Sequence, residues 1–224
     1  LTAAVAVLTA TVAATGLVLK LLRRHAIFDR PNERSSHTEL TPRGGGIAVI
    51  AVLVVAWGLL APAADRGEIY TVVLALLFLA GVSWVDDLRS LSPGIRLLAQ
   101  LAAILPALYW MSEKTSIFQG IIPAPFDLIL AGLIWVWFIN LFNFMDGIDG
   151  ISGVEAASIG GGIALLAVYR PDAGVDPLLA ATVSAAAVGF LCWNWHPAKI
   201  FLGDVGSVPL EFLLGWLLLN LASG

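Results

Sequence analysis

Apolar stretches long enough to cross a bilayer recur along this chain, and no other feature constrains its fold as much. Eight are read: Leu1–Leu22, Gly46–Ala63, Ile69–Val85, Ile95–Met111, Phe126–Phe144, Ile151–Tyr169, Leu178–Trp193 and Ser207–Ala222. Crossing about 30 Å of hydrocarbon takes about 20 helical residues. In lipid, backbone N–H and C=O groups must be satisfied within the protein, so these segments are helices. The expectation is an all-α, polytopic transmembrane helix bundle of about eight spans, forming a single integral-membrane domain over residues 1–224. Composition agrees, because only 12% of residues are charged, against about 25% in soluble domains. A water-soluble core could not hide the 59% that are hydrophobic. The lipid bilayer is the expected solvent.

Several function classes fall away at this point. The net charge of −4 comes without any basic stripe, so no nucleic acid partner is expected. Cys192 is the single cysteine, which excludes an intrachain disulfide and a zinc cluster. The first run is not a signal peptide, because Lys20, Arg23 and Arg24 follow its apolar core rather than precede it. A start at Leu1 rather than Met is what a fragment or a trimmed sequence is expected to show. The eight tryptophans lie mostly near span ends, as an interfacial belt predicts.

Charge then orients the bundle. Odd-numbered loops hold Lys20, Arg23, Arg24, Arg30, Arg34, Arg43, Arg89, Arg96 and Lys199, and even-numbered loops hold Arg66, Lys114 and Arg170. Basic residues collect on the cytoplasmic side, so the odd loops are expected in the cytoplasm and the N-terminus outside. Every polar cluster that suggests chemistry also falls in an odd loop. The even loops carry Asp65, Glu68, Glu113, Asp172 and Asp176 in what read as ordinary solvated turns.

Three acidic clusters stand out. Asp86-Asp87 ends the third run, where two adjacent carboxylates at the hydrocarbon edge repel each other and need a proton or cation. Mg²⁺ suits them, since it takes oxygen ligands and commonly one or two carboxylates beside substrate phosphates. The plainer reading is a polar helix end beside Arg89. Asn143, Asp146 and Asp149 end the fifth run at a spacing of three, which a continuing helix would align on one face. Asp204 lies between Gly203 and Gly206 where the eighth helix begins, a place where backbone amides hold phosphate. Its plainer reading is a helix N-cap. Asn194 opens the same loop, and Phe201 offers a flat face to a base, though membrane packing explains that ring equally. In the first loop, Arg43 precedes three glycines and could meet a diphosphate. His37 is uninformative alone.

In this order the segments resemble the polyprenyl-phosphate N-acetylhexosamine-1-phosphate transferases. The matching pieces are Asp29-Arg30-Pro31-Asn32-Glu33-Arg34-Ser35-Ser36-His37, Thr41-Pro42-Arg43-Gly44-Gly45, Asp86-Asp87, Asn143-Phe144-Met145-Asp146-Gly147-Ile148-Asp149-Gly150 and Phe201-Leu202-Gly203-Asp204-Val205-Gly206-Ser207. Each is weak singly, and together they are specific. The wording is closest to enzymes that initiate O-antigen or other surface polysaccharides. The resemblance implies transfer of N-acetylhexosamine 1-phosphate from a UDP-N-acetylhexosamine to undecaprenyl phosphate, with release of UMP. It implies a multi-pass protein of the inner (cytoplasmic) membrane with its site facing the cytoplasm, and a homodimer is compatible with it. The catalytic set it implies is Asp86, Asp87 and Asp146, with Asp86 near the lipid phosphate. Asp87 and Asp204 would hold Mg²⁺, or Mn²⁺ in its place. Asn143, Asp149, Asn194, Phe201, Arg43 and His37 would serve the substrates, with Phe201 stacking on uracil.

One departure is expected to matter. Members of that family have ten or eleven spans and a His-rich loop after the eighth, which this sequence, ending at Gly224, does not contain. An incomplete or non-catalytic transferase fragment is thus the principal alternative. A helical-bundle transporter would place acids at mid-membrane rather than at span ends. The motifs of intramembrane aspartyl proteases and CDP-alcohol transferases do not fit Gly203-Asp204 or Asp146-Gly147.

Overall fold

The computed structural model describes residues 1–29, 40–114, 116–146, 148–172 and 174–224. Among the described residues eight helices follow one another: α1 (Thr2–Arg24), α2 (Gly46–Leu60), α3 (Arg66–Arg89), α4 (Pro93–Lys114), α5 (Ala124–Met145), α6 (Ile151–Tyr169), α7 (Pro177–Asn194) and α8 (Asp204–Ser223). A two-residue antiparallel pairing of β1 (Phe28–Asp29) with β2 (Thr41–Pro42) closes the stretch between α1 and α2. His37 and the Arg30–Ser36 part of the first motif lie outside the described residues.

Seven of the helices are long and apolar enough to cross a membrane, as a multi-pass protein requires. The second expected span falls short, because α2 has fifteen residues, about 22 Å at 1.5 Å per residue. Both of its ends are fixed by local chemistry. Ala61 turns out of helix at ψ 119°, as a residue before proline does. At the other end, Gly45 and Gly46 donate to the carbonyls of Phe201 and Leu202. There α2 runs directly against the start of α8, and a Cβ on Gly46 would overlap the Cα and amide nitrogen of Gly206.

α8 is the centre of the bundle. Of its most apolar stretch 83% is buried, against 17% for α5, and it packs on α3, α5, α2 and α6. Two expectations about the surroundings change here. Trp57 and Trp135 are core residues, donating through their indole N–H to Thr182 Oγ1 (3.1 Å) and the Phe212 carbonyl (3.0 Å). They are not part of an interfacial belt. Glu68 is buried and ion-paired with Lys114, which also reaches Asp65 at 2.9 Å. This pair latches α3 to α4, so Glu68 is no solvated turn residue.

Candidate functional site

The stretches after α1, α3, α5 and α7 meet at one end of the bundle, and α8 begins among them. α3 continues helically through Asp86 and Asp87 and stops at Ser90, which takes a left-handed φ of 51°. One turn back along a helix the two acids point to different neighbours, and the structure separates their roles. Asp87 reaches the first residues of α8. Its Oδ1 accepts from the Asp204 amide (3.0 Å) and its Oδ2 from the Val205 amide (2.9 Å). A carboxylate here satisfies two amides that a helix start leaves open, and sits favourably at the positive end of the helix dipole. Those amides were expected to hold phosphate, and Asp87 already holds them. Asp86 is buried with both oxygens engaged, accepting from the Leu91 amide (2.6 Å) and ion-paired with Arg96 Nε (2.7 Å). It ties α4 to the end of α3.

Arg43 joins the clusters. Its guanidinium pairs with Asp87 Oδ1 through Nε (3.0 Å) and with Asp204 Oδ1 through Nη2 (2.9 Å), and Asp29 stands 3.8 Å away. Both carboxylates therefore lie within the span of one guanidinium. Burial works against the Arg43 charge, but Asp87, Asp204 and Asp29 outweigh it and hold the proton more firmly than usual. The glycine amides after Arg43 are not free for a diphosphate, because Gly44 and Gly45 both donate to the Phe201 carbonyl and Gly46 to that of Leu202. Asn143 completes the junction, donating to Asp204 Oδ1 (3.1 Å) and Ser207 Oγ (2.8 Å).

The fifth-run cluster does not continue as a helix. α5 ends at Met145 with Asp146 as its C-cap, so Asn143, Asp146 and Asp149 do not share one face. Asp146 turns toward the cleft and accepts from Ser152 Oγ at 2.6 Å. Enclosure by protein raises its carboxyl to about 7, the Ser152 hydrogen bond opposing and the Asp204 charge adding. Asp149 turns toward the loop after α7, where its Oδ2 meets His196 Nδ1 (2.9 Å) and accepts from the Ala198 amide (3.0 Å). Asn194 is buried between the two loops, donating to the Ile200 carbonyl and accepting from the Gly150 amide, both at 3.0 Å. Asp149 and Asn194 thus shape the segment that carries Phe201, rather than facing the cleft themselves.

The cleft encloses ≈ 250 Å³ and is lined by Asp29, Arg43, Asn143, Asp146, Phe201, Gly203 and Asp204. Among the described residues, Oδ2 of Asp146 and Oδ2 of Asp204 have no hydrogen-bond partner. No three acids, histidines or cysteines among the described residues form a ready-made metal cage. Two free carboxylate oxygens in one cleft fit a hard cation that keeps waters and takes further ligands from phosphates, as Mg²⁺ and Mn²⁺ do.

Two acids escaped the sequence reading because each is single within an apolar run. Both oxygens of Glu211 and Oε2 of Glu155 are buried without a partner among the described residues. Glu211 lies two turns below Asp204 on α8, in line with Ser207. An unpartnered buried carboxyl costs free energy, so Glu211→Leu is expected to stabilise the protein by about 1–3 kcal/mol. A lower melting temperature in detergent would show instead that the carboxyl has a compensating partner.

The sequence model described as glycosyl transferase family 4 matches residues 69–222. A probable undecaprenyl-phosphate N-acetylglucosaminyl 1-phosphate transferase of Bacillus subtilis is 28% identical over 210 residues, covering 88% of this chain and 56% of that protein. A phospho-N-acetylmuramoyl-pentapeptide-transferase of Synechococcus sp. is 34% identical over 191 residues, covering 76% and 51%. A decaprenyl-phosphate N-acetylglucosaminephosphotransferase of Mycobacterium tuberculosis is 31% identical over 230 residues, covering 90% and 55%. The chain spans about half the length of these relatives.

Proposed function

The chain belongs to glycosyl transferase family 4, and from that premise we propose that it carries the catalytic end of a polyprenyl-phosphate sugar-1-phosphate transferase. The donor is a UDP-N-acetylhexosamine and the acceptor undecaprenyl phosphate. An oxygen of the lipid phosphate attacks the sugar-bearing phosphorus, the diphosphate bond of the donor breaks, and its bridging oxygen leaves with UMP. The product is a lipid diphosphosugar that starts a cell-surface polysaccharide, made on the cytoplasmic face of the inner membrane.

The observation that carries this reading is the Asp87–Arg43–Asp204 constellation, with Asn143 and Asp146 around one cleft at the bundle end. Phosphoryl transfer asks a protein for charge neutralisation and alignment more than for covalent chemistry. Asp204 and Asp146 would hold Mg²⁺ or Mn²⁺ through their unpartnered oxygens, with Asp87 behind them fixing the start of α8. The bound ion would neutralise phosphate charge. Phe201, on the cleft wall, would stack on uracil. An apolar cavity of ≈ 410 Å³ between α4 and α5, lined by Leu101, Leu105, Leu108, Leu128, Leu133 and Val136, would receive part of the prenyl tail.

The test is UMP exchange into UDP-N-acetylglucosamine by the transferase carrying this chain. Exchange should require undecaprenyl phosphate and Mg²⁺, stop in EDTA and return with Mn²⁺. Because the Asp146 carboxyl is pushed up to about 7 in the ion-free cleft, a proton should compete there with the ion, so the Mg²⁺ concentration needed for exchange should rise, with an inflection near that value, as pH drops. Asp146→Asn should leave a low rate without that inflection. Exchange that survives EDTA, or that proceeds without the lipid phosphate, would defeat the proposal.

A further inference from the structure

Arg43 holds a position that the proposed chemistry needs for something else. Its fork takes one oxygen from each of Asp87 and Asp204, and Asp204 is one of the two acids that would hold a divalent ion. Among the described residues lining the cleft, Arg43 is the one cation facing Asp29, Asp146 and Asp204. A donor diphosphate would enter this cleft as a further anion, and the amides that could have received it are already taken by Asp87 and by the Phe201 and Leu202 carbonyls.

We propose that Arg43 is an internal counter-cation, displaced from the Asp87–Asp204 pair by a divalent ion and thereby released to clamp the donor's diphosphate. This rests on the metal-dependent reading above and adds the exchange between the two cations. A guanidinium on one oxygen of Asp204 and a divalent ion on the other repel each other, so each weakens the other's hold. The planar fork that fits two carboxylate oxygens fits two phosphate oxygens as well.

The local build supports a swinging head on a fixed base. The Arg43 backbone is pinned by its bridge to Phe201 and by the Pro42 and Gly44 hydrogen bonds on either side. Its side chain is 35% exposed and borders the cleft. Gly203, at φ +75°, leaves the room its stem occupies, since a Cβ there would stand 3.2 Å from Arg43 Cγ and 3.0 Å from Asp87 Oδ2. Asp29, at 3.8 Å and also lining the cleft, offers the head a second, looser contact.

The experiment is Mn²⁺ titration of purified, donor-free protein, followed by the electron paramagnetic resonance signal of free Mn²⁺, with UDP affinity measured separately by calorimetry. Removing the competing charge in Arg43→Gln should tighten Mn²⁺ binding about tenfold and weaken UDP binding about tenfold. Arg43→Lys keeps a point charge but loses the fork, so its Mn²⁺ affinity should rise about threefold. It decides the matter if the Gln variant does not fold. Mn²⁺ binding that is unchanged or weaker in the folded variants overturns the exchange. Equal Mn²⁺ binding by wild type and Asp204→Asn would instead defeat the metal site itself.

Discussion

Asp87→Asn is expected to lower turnover by about three orders of magnitude or more, the scale on which preorganised charge at a phosphoryl-transfer site acts. The expectation follows from the two tasks that one carboxylate performs. Its oxygens accept the Asp204 and Val205 amides, and it pairs with Arg43. An amide side chain keeps one acceptor and turns an NH₂ group toward a helix start that presents N–H donors of its own. The first turn of α8 would then shift, and Asp204 with it. The measurement is the rate of UMP release at saturating substrates, alongside melting in detergent. Turnover within tenfold of wild type, in a variant that melts normally, would remove Asp87 from the proposed machinery.

Gly46→Ala is the second large effect, and it acts through packing alone. A Cβ at this position would overlap the backbone of Gly206, and backbone, unlike a side-chain tip, cannot rotate away. Overpacking of this kind costs typically about 1–3 kcal/mol and more where nothing can yield, so a loss of about 3 kcal/mol or more is expected. Gly81 supplies the control, because a Cβ there meets nothing within 4 Å. Gly81→Ala should gain about 0.5–1 kcal/mol from helix propensity. The two melting curves should move in opposite directions. A Gly46→Ala protein that melts with wild type would mean that α2 and α8 are not in backbone contact.

The spans were legible in the sequence because a bilayer demands long apolar runs, and the acids were legible because they interrupt such runs. The inward faces of the helices were not. Lipid tails are as apolar as a protein interior, so membrane helices need no polar outer face and periodicity loses its meaning. That is why Trp57 and Trp135 read as interfacial while lying in the core, and why the central place of α8 went unseen. Asp87 and Arg43 were both picked out, but their junction at the start of α8 joins residues 117 and 161 positions apart. Spacing along the chain says nothing about such a meeting. The expected alignment of Asn143, Asp146 and Asp149 failed because α5 stops at Met145. Glu68 was misread because its partner, Lys114, lies on the next helix.

Glu211 also bears on how the protein is made. It is the eighth residue of the twenty in α8, which also carries Asp204, Pro209 and Asn220. An ionisable residue near the centre of an inserting helix costs on the order of 2.5–3.5 kcal/mol when the translocon tests that helix singly. Offering α8 to lipid by itself would therefore be unfavourable, although its composition marks it as a span. The compensation comes from α3, α5 and α6, which surround it in the finished bundle and leave the ribosome first. α8 should accordingly enter the bilayer only against helices already there. Transplanted singly into a reporter of membrane insertion, it should integrate poorly, and Glu211→Leu should restore it.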